Sequence, residues 1–558
     1  MPYDTALARA VWNARYRLDQ GDGREVDVPA TLERVARSAA RLESRGRALW
    51  SRRFTDLLAS GLFIPGGRIL AGAGGTDGKK LGPTLANCFV MTPLTSGPRE
   101  LRSALLASAR TLRAGGGIGL DFSGLRSSES DKTGPVAMLA RWDQLAQRCA
   151  APRCRRGAVM ATLRDDHPDL LRFIDAKLEP GVLTHCNCSV LVSDALLIAV
   201  RRNDRWLLHR GKPGSTTMMQ EIDARALWQR LARAALATGE PGVLFRDHIN
   251  RENNLGYRER LTTTNPCAET PLPNGGACLL GSFNLALLVR NPWTASARFD
   301  YHRLELLMPL VVRFMDNLID QAHLPLPAQR REASLTRRLG IGVMGLGSAL
   351  TALGLRYGSS PGRTTASNIL RALRDAAYAS SVLLADERSA FPAFDPERYP
   401  ASPFVERLPD SIRRTIARRG IRNSHLLACA PTGSIALLAD NVSCGIEPSF
   451  GALLSRCIRS REGLDVVPAT DWSIAQWPGS PGTRPPAFET AYDIDPPGHL
   501  AMLLALQPWV DQGISKTIPL GPEVSATDVA DLLLAAGDGG AKGVTVFRQS
   551  DERPPAIL

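Results

Sequence analysis

The sequence is poor in aromatic residues and contains no long apolar run. Phe, Trp and Tyr make up only 6% of its 558 residues, so a stacking platform for single-stranded nucleic acid is not expected. No window approaches the roughly 18 apolar residues that a membrane helix needs. Residues 1–20 carry charges throughout and have no apolar signal core. We therefore expect a cytoplasmic protein that binds neither membrane nor nucleic acid.

Internal repeats and low-complexity tracts are also absent. Ten cysteines in a cytosolic chain should be reduced, so those that matter would serve catalysis, metal binding or redox chemistry. The formal net charge of +13 suits a protein that binds polyanions such as nucleotides. Its arginines form short, scattered pairs, which is more typical of a solvated surface than of a nucleic-acid footprint.

The common nucleotide-binding motifs fail on inspection. Residues 71–80 suggest a phosphate-binding loop, but Ala73 replaces its first glycine and Lys80 replaces its Ser/Thr. Residues 115–123 miss the dinucleotide-binding pattern because Leu120 occupies its third glycine position. Both segments are therefore interpreted as glycine-rich turns.

One run of possible metal ligands, His185, Cys186 and Cys188, would suggest zinc if it were combined with Cys149 and Cys154. The spacings of these residues fit no standard zinc pattern, and Cys186 and Cys188 begin a strand-like apolar run. The sequence therefore predicts no metal site.

One short stretch has the composition of a reaction centre. Asn265, Cys267 and Glu269 alternate between prolines at 266, 271 and 273, which exclude a helix and predict a stiff loop. In an extended chain the amide, thiol and carboxylate would all point the same way. The alternative is that Cys267 is an inert buried thiol, since cysteine often behaves as a small hydrophobe.

Two other segments suggest chemistry more weakly. Cys88 lies in an apolar run of strand length, residues 85–91. Pro431, Thr432, Gly433 and Ser434 are small residues at a predicted helix start, where free backbone N–H groups suit phosphate. A simple helix cap at Thr432 is the alternative.

Residues 265–269 (Asn-Pro-Cys-Ala-Glu) and 430–434 (Ala-Pro-Thr-Gly-Ser) resemble the active-site and phosphate-binding loops of the ribonucleotide reductase catalytic subunit. The resemblance extends from about residue 50 to 548. It implies an α/β fold, a ten-stranded α/β barrel with the active-site loop through its centre, preceded by a small helical domain. We expect the helical domain at 1–84, the barrel at 85–550 and a short tail at 551–558.

The resemblance also implies roles for individual residues. A radical on the Cys267 sulfur would abstract the 3′ hydrogen of a ribonucleotide, Glu269 would act as general base, and Asn265 would orient the ribose hydroxyls. Cys88 and Cys278 would supply two electrons by closing a disulfide. Pro431, Thr432, Gly433 and Ser434 would hold the substrate phosphates.

The radical source follows from a departure from some relatives. Relatives that use a metalloprotein partner carry two adjacent tyrosines where this chain has Val546 and Phe547. This favours adenosylcobalamin as a directly bound cofactor. The alternatives are a partner-dependent reductase subunit and a catalytically silent nucleotide-binding regulator.

Partners are less defined by the sequence. No cysteine follows Cys457, so we expect re-reduction of the active-site disulfide by an external dithiol or thioredoxin-type reductant rather than by a tail cysteine pair. Arg155 and Arg156 match the family's effector-sensing loop. Diphosphate or triphosphate substrate, effector control and a homodimeric state stay open at this point.

Overall fold

The computed structural model describes residues 2–20, 23–75, 84–127, 134–149, 157–209, 218–459, 463–480 and 482–548. Cys154, the predicted effector loop at 155–156, residues 76–80 of the first glycine-rich turn and the tail at 551–558 lie outside these ranges. Within them, no helix combines the length and apolar character needed to cross a bilayer.

The helices in the described ranges are α1 Ala6–Arg15, α2 Val28–Ala40, α3 Arg47–Ala59, α4 Gly67–Gly72, α5 Pro98–Arg113, α6 Pro135–Cys149, α7 Leu170–Asp175, α8 Asp194–Arg202, α9 Ala224–Thr238, α10 Arg246–Arg251, α11 Tyr301–Asp320, α12 Pro327–Thr336, α13 Leu346–Ala352, α14 Ser360–Arg388, α15 Pro403–Glu406, α16 Asp410–Arg419, α17 Gly433–Leu438, α18 Trp472–Ala475, α19 Pro496–Leu506 and α20 Ala526–Asp538. The strands are β1 Asp19–Gln20, β2 Gly23–Arg24, β3 Phe63–Pro65, β4 Cys88–Val90, β5 Gly117–Asp121, β6 Val159–Arg164, β7 Cys186–Val192, β8 Arg205–His209, β9 Met218–Asp223, β10 Gly242–Phe245, β11 Thr263–Thr264, β12 Pro271–Leu272, β13 Ala277–Asn284, β14 Val289–Arg290, β15 Arg298–Phe299, β16 Leu339–Met344, β17 Leu453–Arg459, β18 Leu464–Thr470, β19 Thr517–Leu520 and β20 Gly543–Arg548.

The backbone contacts divide the chain into two compact units. The first comprises the described residues of Met1–Asn87 and Cys278–Gln512, and the second those of Cys88–Ala277 and 513–548. The main sheet has ten strands, three in the first unit and seven in the second. An α/β architecture with a central sheet of ten strands and a helical N-terminal segment is thus confirmed, whereas the boundaries predicted at 84 and 550 stay predictions.

In the first unit, β13 is completely buried and pairs with β16 in parallel and with β3 antiparallel. The 20-residue α11 and the 29-residue α14 pack against each other, and α2 packs on α11. The fully buried carboxylate of Asp316 joins these helices to their surroundings through arginines 337, 388 and 422. Burial alone would favour the neutral acid, but the adjacent Arg337 guanidinium holds the pKa of Asp316 below its usual value.

In the second unit, β4, β5, β6, β7 and β10 run parallel in that order, β20 pairs antiparallel with β10, and β19 lies parallel to β20. The parallel strands read as apolar runs because both faces are buried. Helices α5 and α6 pack together, as do α9 and α20. The short hairpin β11–β12 contacts β4 and β5, and this hairpin carries the predicted reaction centre.

Candidate active site

The hairpin tip is a tight turn. Thr264 pairs with Pro271, and the Asn265 carbonyl accepts from the Ala268 amide at 3.1 Å. Asparagine and proline are favoured at the first two positions of such a turn, and Ala268 has a φ of +68°. The predicted extended presentation of residues 265, 267 and 269 is therefore wrong, because the pairing of the flanking strands forces the chain to reverse.

The Asn265 side chain cross-links this turn and holds a cysteine. Its Oδ1 accepts from the Thr270 amide at 2.9 Å and from the Thr264 hydroxyl at 3.1 Å. Because these contacts fix the oxygen, Nδ2 faces the other way and donates to the Cys88 Sγ at 3.1 Å. Residues 177 positions apart in sequence are thus brought together.

Glu269 completes a buried cluster of thiol, amide and carboxylate. The Cys88 thiol donates to Glu269 Oε1 at 3.6 Å, and Cys88, Asn265 and Glu269 are each at most 2% exposed. In a site that excludes water, a carboxylate beside a thiol can exchange protons with it or with a bound hydroxyl. The structure therefore brings together three of the five predicted catalytic residues.

Cys267 is the third residue of the four-residue turn and is partly exposed. The residues on either side of it are anchored. The Pro266 carbonyl accepts from Asn187 Nδ2 at 2.9 Å, and the Glu269 carbonyl accepts from the Gly513 amide at 2.8 Å. Ala268 packs against the apolar cluster of Leu191, Leu244, Ile249 and Leu261. The thiol is thus presented from a rigid support, which argues against an inert core cysteine.

Cys278 belongs to the first unit. It is fully buried in β13, where its thiol lies 3.6 Å from the Leu279 carbonyl oxygen. A Cβ placed on Gly340 of the neighbouring strand would lie 3.1 Å from the Cys278 sulfur, so glycine there leaves room for it. Its pairing with Cys88 stays a prediction.

The predicted phosphate loop, Pro431, Thr432, Gly433 and Ser434, also lies in the first unit, directly before and at the start of α17. Thr432 has a φ of +54°, and its side chain makes no capping hydrogen bond. Its Oγ1 accepts instead from the Gly445 amide at 2.8 Å. Thr432 thus occupies the N-cap position of α17, but its side chain does not cap the helix.

Sequence reasoning missed two residues that contact this loop, Tyr16 and Gly445. The Tyr16 hydroxyl donates to the Ser434 Oγ at 2.7 Å, across 418 positions of sequence. No local pattern around Tyr16 could have indicated this contact. Gly445 was overlooked for the same reason.

Two of the possible zinc ligands named above are core residues of a strand. Cys186 and Cys188 are buried in β7, and burial raises the pKa of both thiols, which keeps them protonated. Across the described ranges, no group of three or more His, Cys, Asp or Glu side chains is arranged to hold a metal ion.

Comparison with known proteins matches nearly the whole chain to one family. The family profile described as "Ribonucleotide reductase, all-alpha domain" matches residues 3–78, and that described as "Ribonucleotide reductase, barrel domain" matches residues 86–547. The second match contains the hairpin, Cys88, Cys278 and the predicted phosphate loop.

Named relatives agree with these profiles. The chain is 37% identical to a vitamin B12-dependent ribonucleoside-diphosphate reductase of Mycobacterium tuberculosis, over 97% of this chain and 79% of the relative. It is 30% identical to a protein of the same name from Thermoplasma acidophilum, over 90% of this chain and 65% of the relative. It is 22% identical to a ribonucleoside-diphosphate reductase subunit alpha of Chlamydia pneumoniae, over 92% of this chain and 56% of the relative. The chain belongs to the ribonucleotide reductase family.

Proposed function

We propose that the chain reduces ribonucleoside diphosphates to 2′-deoxyribonucleotides by thiyl-radical chemistry, with adenosylcobalamin as its cofactor. The observation that carries the proposal is the buried cluster of Cys88, Asn265 and Glu269 beside the partly exposed thiol of Cys267. The family membership supports the reaction. The names of the Mycobacterium and Thermoplasma relatives support the diphosphate and the cofactor.

The residues present fit this cofactor. Among the three polar side chains of the turn, Asn265 and Glu269 are buried and Cys267 is partly exposed, so the thiol is the group that an external radical source can reach. Bound adenosylcobalamin supplies radical chemistry by homolysis of its cobalt–carbon bond. Val546 and Phe547 of β20 carry no phenol that could relay a radical from a partner subunit.

Cys267 carries out the first and the last hydrogen transfer of the reaction. As a thiyl radical it takes the hydrogen from C3′ of the ribose, and it returns a hydrogen atom to C3′ in the last step. The buried Glu269 carboxylate accepts the proton of the 3′-hydroxyl in between. Radical intermediates require that water be excluded, which the burial of Glu269 and Cys88 provides.

Loss of the 2′-hydroxyl requires two electrons and two protons. The Cys88 and Cys278 thiols supply both, so that the ribose loses one water molecule and the two sulfurs form one disulfide. The Asn265 amide holds the Cys88 sulfur 3.6 Å from Glu269 Oε1, where the thiol proton has an acceptor. Asn265 thereby positions the reductant as well as the ribose.

The substrate diphosphate binds at Pro431, Thr432, Gly433 and Ser434. The hydroxyl oxygens of Thr432 and Ser434 each already accept a hydrogen bond from the protein. Their hydroxyl hydrogens are therefore left for phosphate oxygens, which are strong acceptors. An external dithiol regenerates the thiols after each turnover, and a homodimeric state stays a prediction.

The test is an anaerobic assay of purified protein with adenosylcobalamin, a small dithiol and each ribonucleoside di- or triphosphate. We expect deoxyribonucleoside diphosphates, and none when the cofactor is omitted. Turnover that requires a second protein instead of adenosylcobalamin would support the partner-dependent alternative. Nucleotide binding without any deoxynucleotide would support the silent regulator.

A further inference from the structure

The first helix of the chain is fastened to both ends of α17. The Tyr16 hydroxyl, one residue after α1, donates to Ser434 Oγ in the first turn of α17 at 2.7 Å. The backbone amides of Tyr3 and Thr5, before α1, donate to the two carboxylate oxygens of Asp440 at 3.0 and 3.2 Å. Asp440 follows the last turn of α17, so α1 spans this short helix from end to end.

The hydrogen bond between Tyr16 and Ser434 is closely confined by its neighbours. Tyr16 is 3% exposed, and a Cβ on Gly67 would lie 3.3 Å from its hydroxyl and 3.6 Å from Ser434 Oγ. The start of α4 therefore closes over the hydrogen bond between Tyr16 and Ser434. Trp12 fixes α1 to α2, because its indole N–H donates to the Thr31 hydroxyl at 2.8 Å. The phenol has little freedom to leave Ser434.

This contact decides where the serine hydrogen points. A serine hydroxyl has one hydrogen and two lone pairs. Since Tyr16 donates to one lone pair, the Ser434 hydrogen is directed away from the phenol. The Gly445 amide likewise donates to a lone pair of the Thr432 hydroxyl and so directs its hydrogen away from the amide. Both hydroxyl groups of the loop are thus prepared to donate to an anion, and hydrogen bonds to a charged acceptor are stronger than neutral ones.

We propose that Tyr16 is a positioning residue for the substrate diphosphate: through its hydrogen bond to Ser434, the helical N-terminal segment sets the geometry of the phosphate loop. This inference rests on the proposed function of residues 431–434. It predicts that the N-terminal segment contributes to recognition of the phosphates and not of the nucleoside.

The test compares Tyr16→Phe with Tyr3→Phe. Tyr3 is a matched control because its hydroxyl is also buried in the N-terminal segment, but donates to the Leu58 carbonyl at 2.8 Å, away from the phosphate loop. Each variant loses one hydrogen bond that a buried tyrosine side chain donates, so both should lower the melting temperature by a similar amount. Dissociation constants for cytidine diphosphate and for cytidine are measured by calorimetry, without cofactor or turnover.

We expect Tyr16→Phe to raise the dissociation constant of cytidine diphosphate about fivefold, the equivalent of one ordinary hydrogen bond. Its affinity for cytidine and its kcat at saturating substrate should match the wild type. Tyr3→Phe should leave both affinities unchanged. In a Ser434→Ala background, Tyr16→Phe should have no further effect, because its acceptor is gone.

Three results would overturn the inference alone: wild-type affinity for the diphosphate in Tyr16→Phe, an equal loss of affinity for cytidine, or additive effects of Tyr16→Phe and Ser434→Ala. A wild-type protein whose affinity for cytidine diphosphate does not exceed that for cytidine would instead remove the phosphate role of the loop. In that case the proposed function fails at this step, and the inference fails with it.

Discussion

Substitution of Gly119 by alanine tests whether the position of the hairpin is essential. Gly119 lies in β5, where the backbone of β11 passes so close that a Cβ would lie 1.9 Å from the Thr264 carbonyl oxygen. Real Cβ contacts essentially never fall below 3.0 Å, so 3.0 − 1.9 = 1.1 Å is the least displacement that Gly119→Ala requires. The contacted oxygen belongs to the backbone and a Cβ is fixed to its own backbone, so no flexible side chain can absorb the displacement.

The displacement is passed directly to the residues proposed to react. Thr264 precedes Asn265, whose amide lies 3.1 Å from the Cys88 sulfur, so a shift of about 1 Å breaks that contact. A misplacement of this size costs about 100-fold in rate. The strain should destabilise the fold by only about 1–3 kcal/mol, as overpacking typically does.

The assay measures deoxynucleotide formation and thermal stability together. Gly256→Ala is the control, because its Cβ would meet its nearest atom, the Asn253 carbonyl oxygen, at an ordinary 3.4 Å. We expect Gly256→Ala to behave as wild type and Gly119→Ala to be folded but about 100-fold slower. Wild-type turnover by Gly119→Ala would refute the close approach or its importance.

Three further predictions concern charge and redox state. Burial raises the pKa of Asp165 to about 6. The stabilising contribution of the protonated acid is therefore present below pH 4 and is lost as the pH rises through 6. The free energy of unfolding of Asp165→Asn, relative to that of wild type, should be roughly 3 kcal/mol higher at pH 7 than at pH 4 in denaturant titrations. Asp316 has a lowered pKa, so its contribution is present above about pH 4 and is lost below that; Asp316→Ala should cost about 3–5 kcal/mol at pH 7 and less in acid, and an equal cost at both pH values would contradict this. After a single turnover without reductant, peptide mapping should find Cys88 and Cys278 in one disulfide, and product with both thiols intact would refute the pairing.

Local pattern was enough to predict part of the fold, and the family resemblance implied the rest. The apolar run of residues 85–91, whose length is typical of a strand, contains β4, Cys88–Val90. The helical N-terminal segment was expected from the family resemblance, and in the structure α3 ends just before Gly61, whose φ is +70°.

What could not be predicted depends on long-range pairing. The turn at Asn265–Ala268 exists because Thr264 pairs with Pro271, whereas the prolines alone permitted an extended loop as well. The contact of Tyr16 with Ser434 joins residues 418 positions apart and leaves no trace in either neighbourhood. Side-chain contacts of this kind are set by the packed fold and not by local propensity.

The central claim is that the Cys267 thiol carries the reaction, and Cys267→Ser tests it most directly. A hydroxyl cannot replace the thiol because its O–H bond is too strong to yield the radical. The variant is assayed with adenosylcobalamin and dithiol beside Cys457→Ser, a control in β17. We predict that Cys267→Ser binds cytidine diphosphate with wild-type affinity and forms no deoxynucleotide, while Cys457→Ser keeps full activity. Turnover by Cys267→Ser at a rate comparable to wild type would contradict the account.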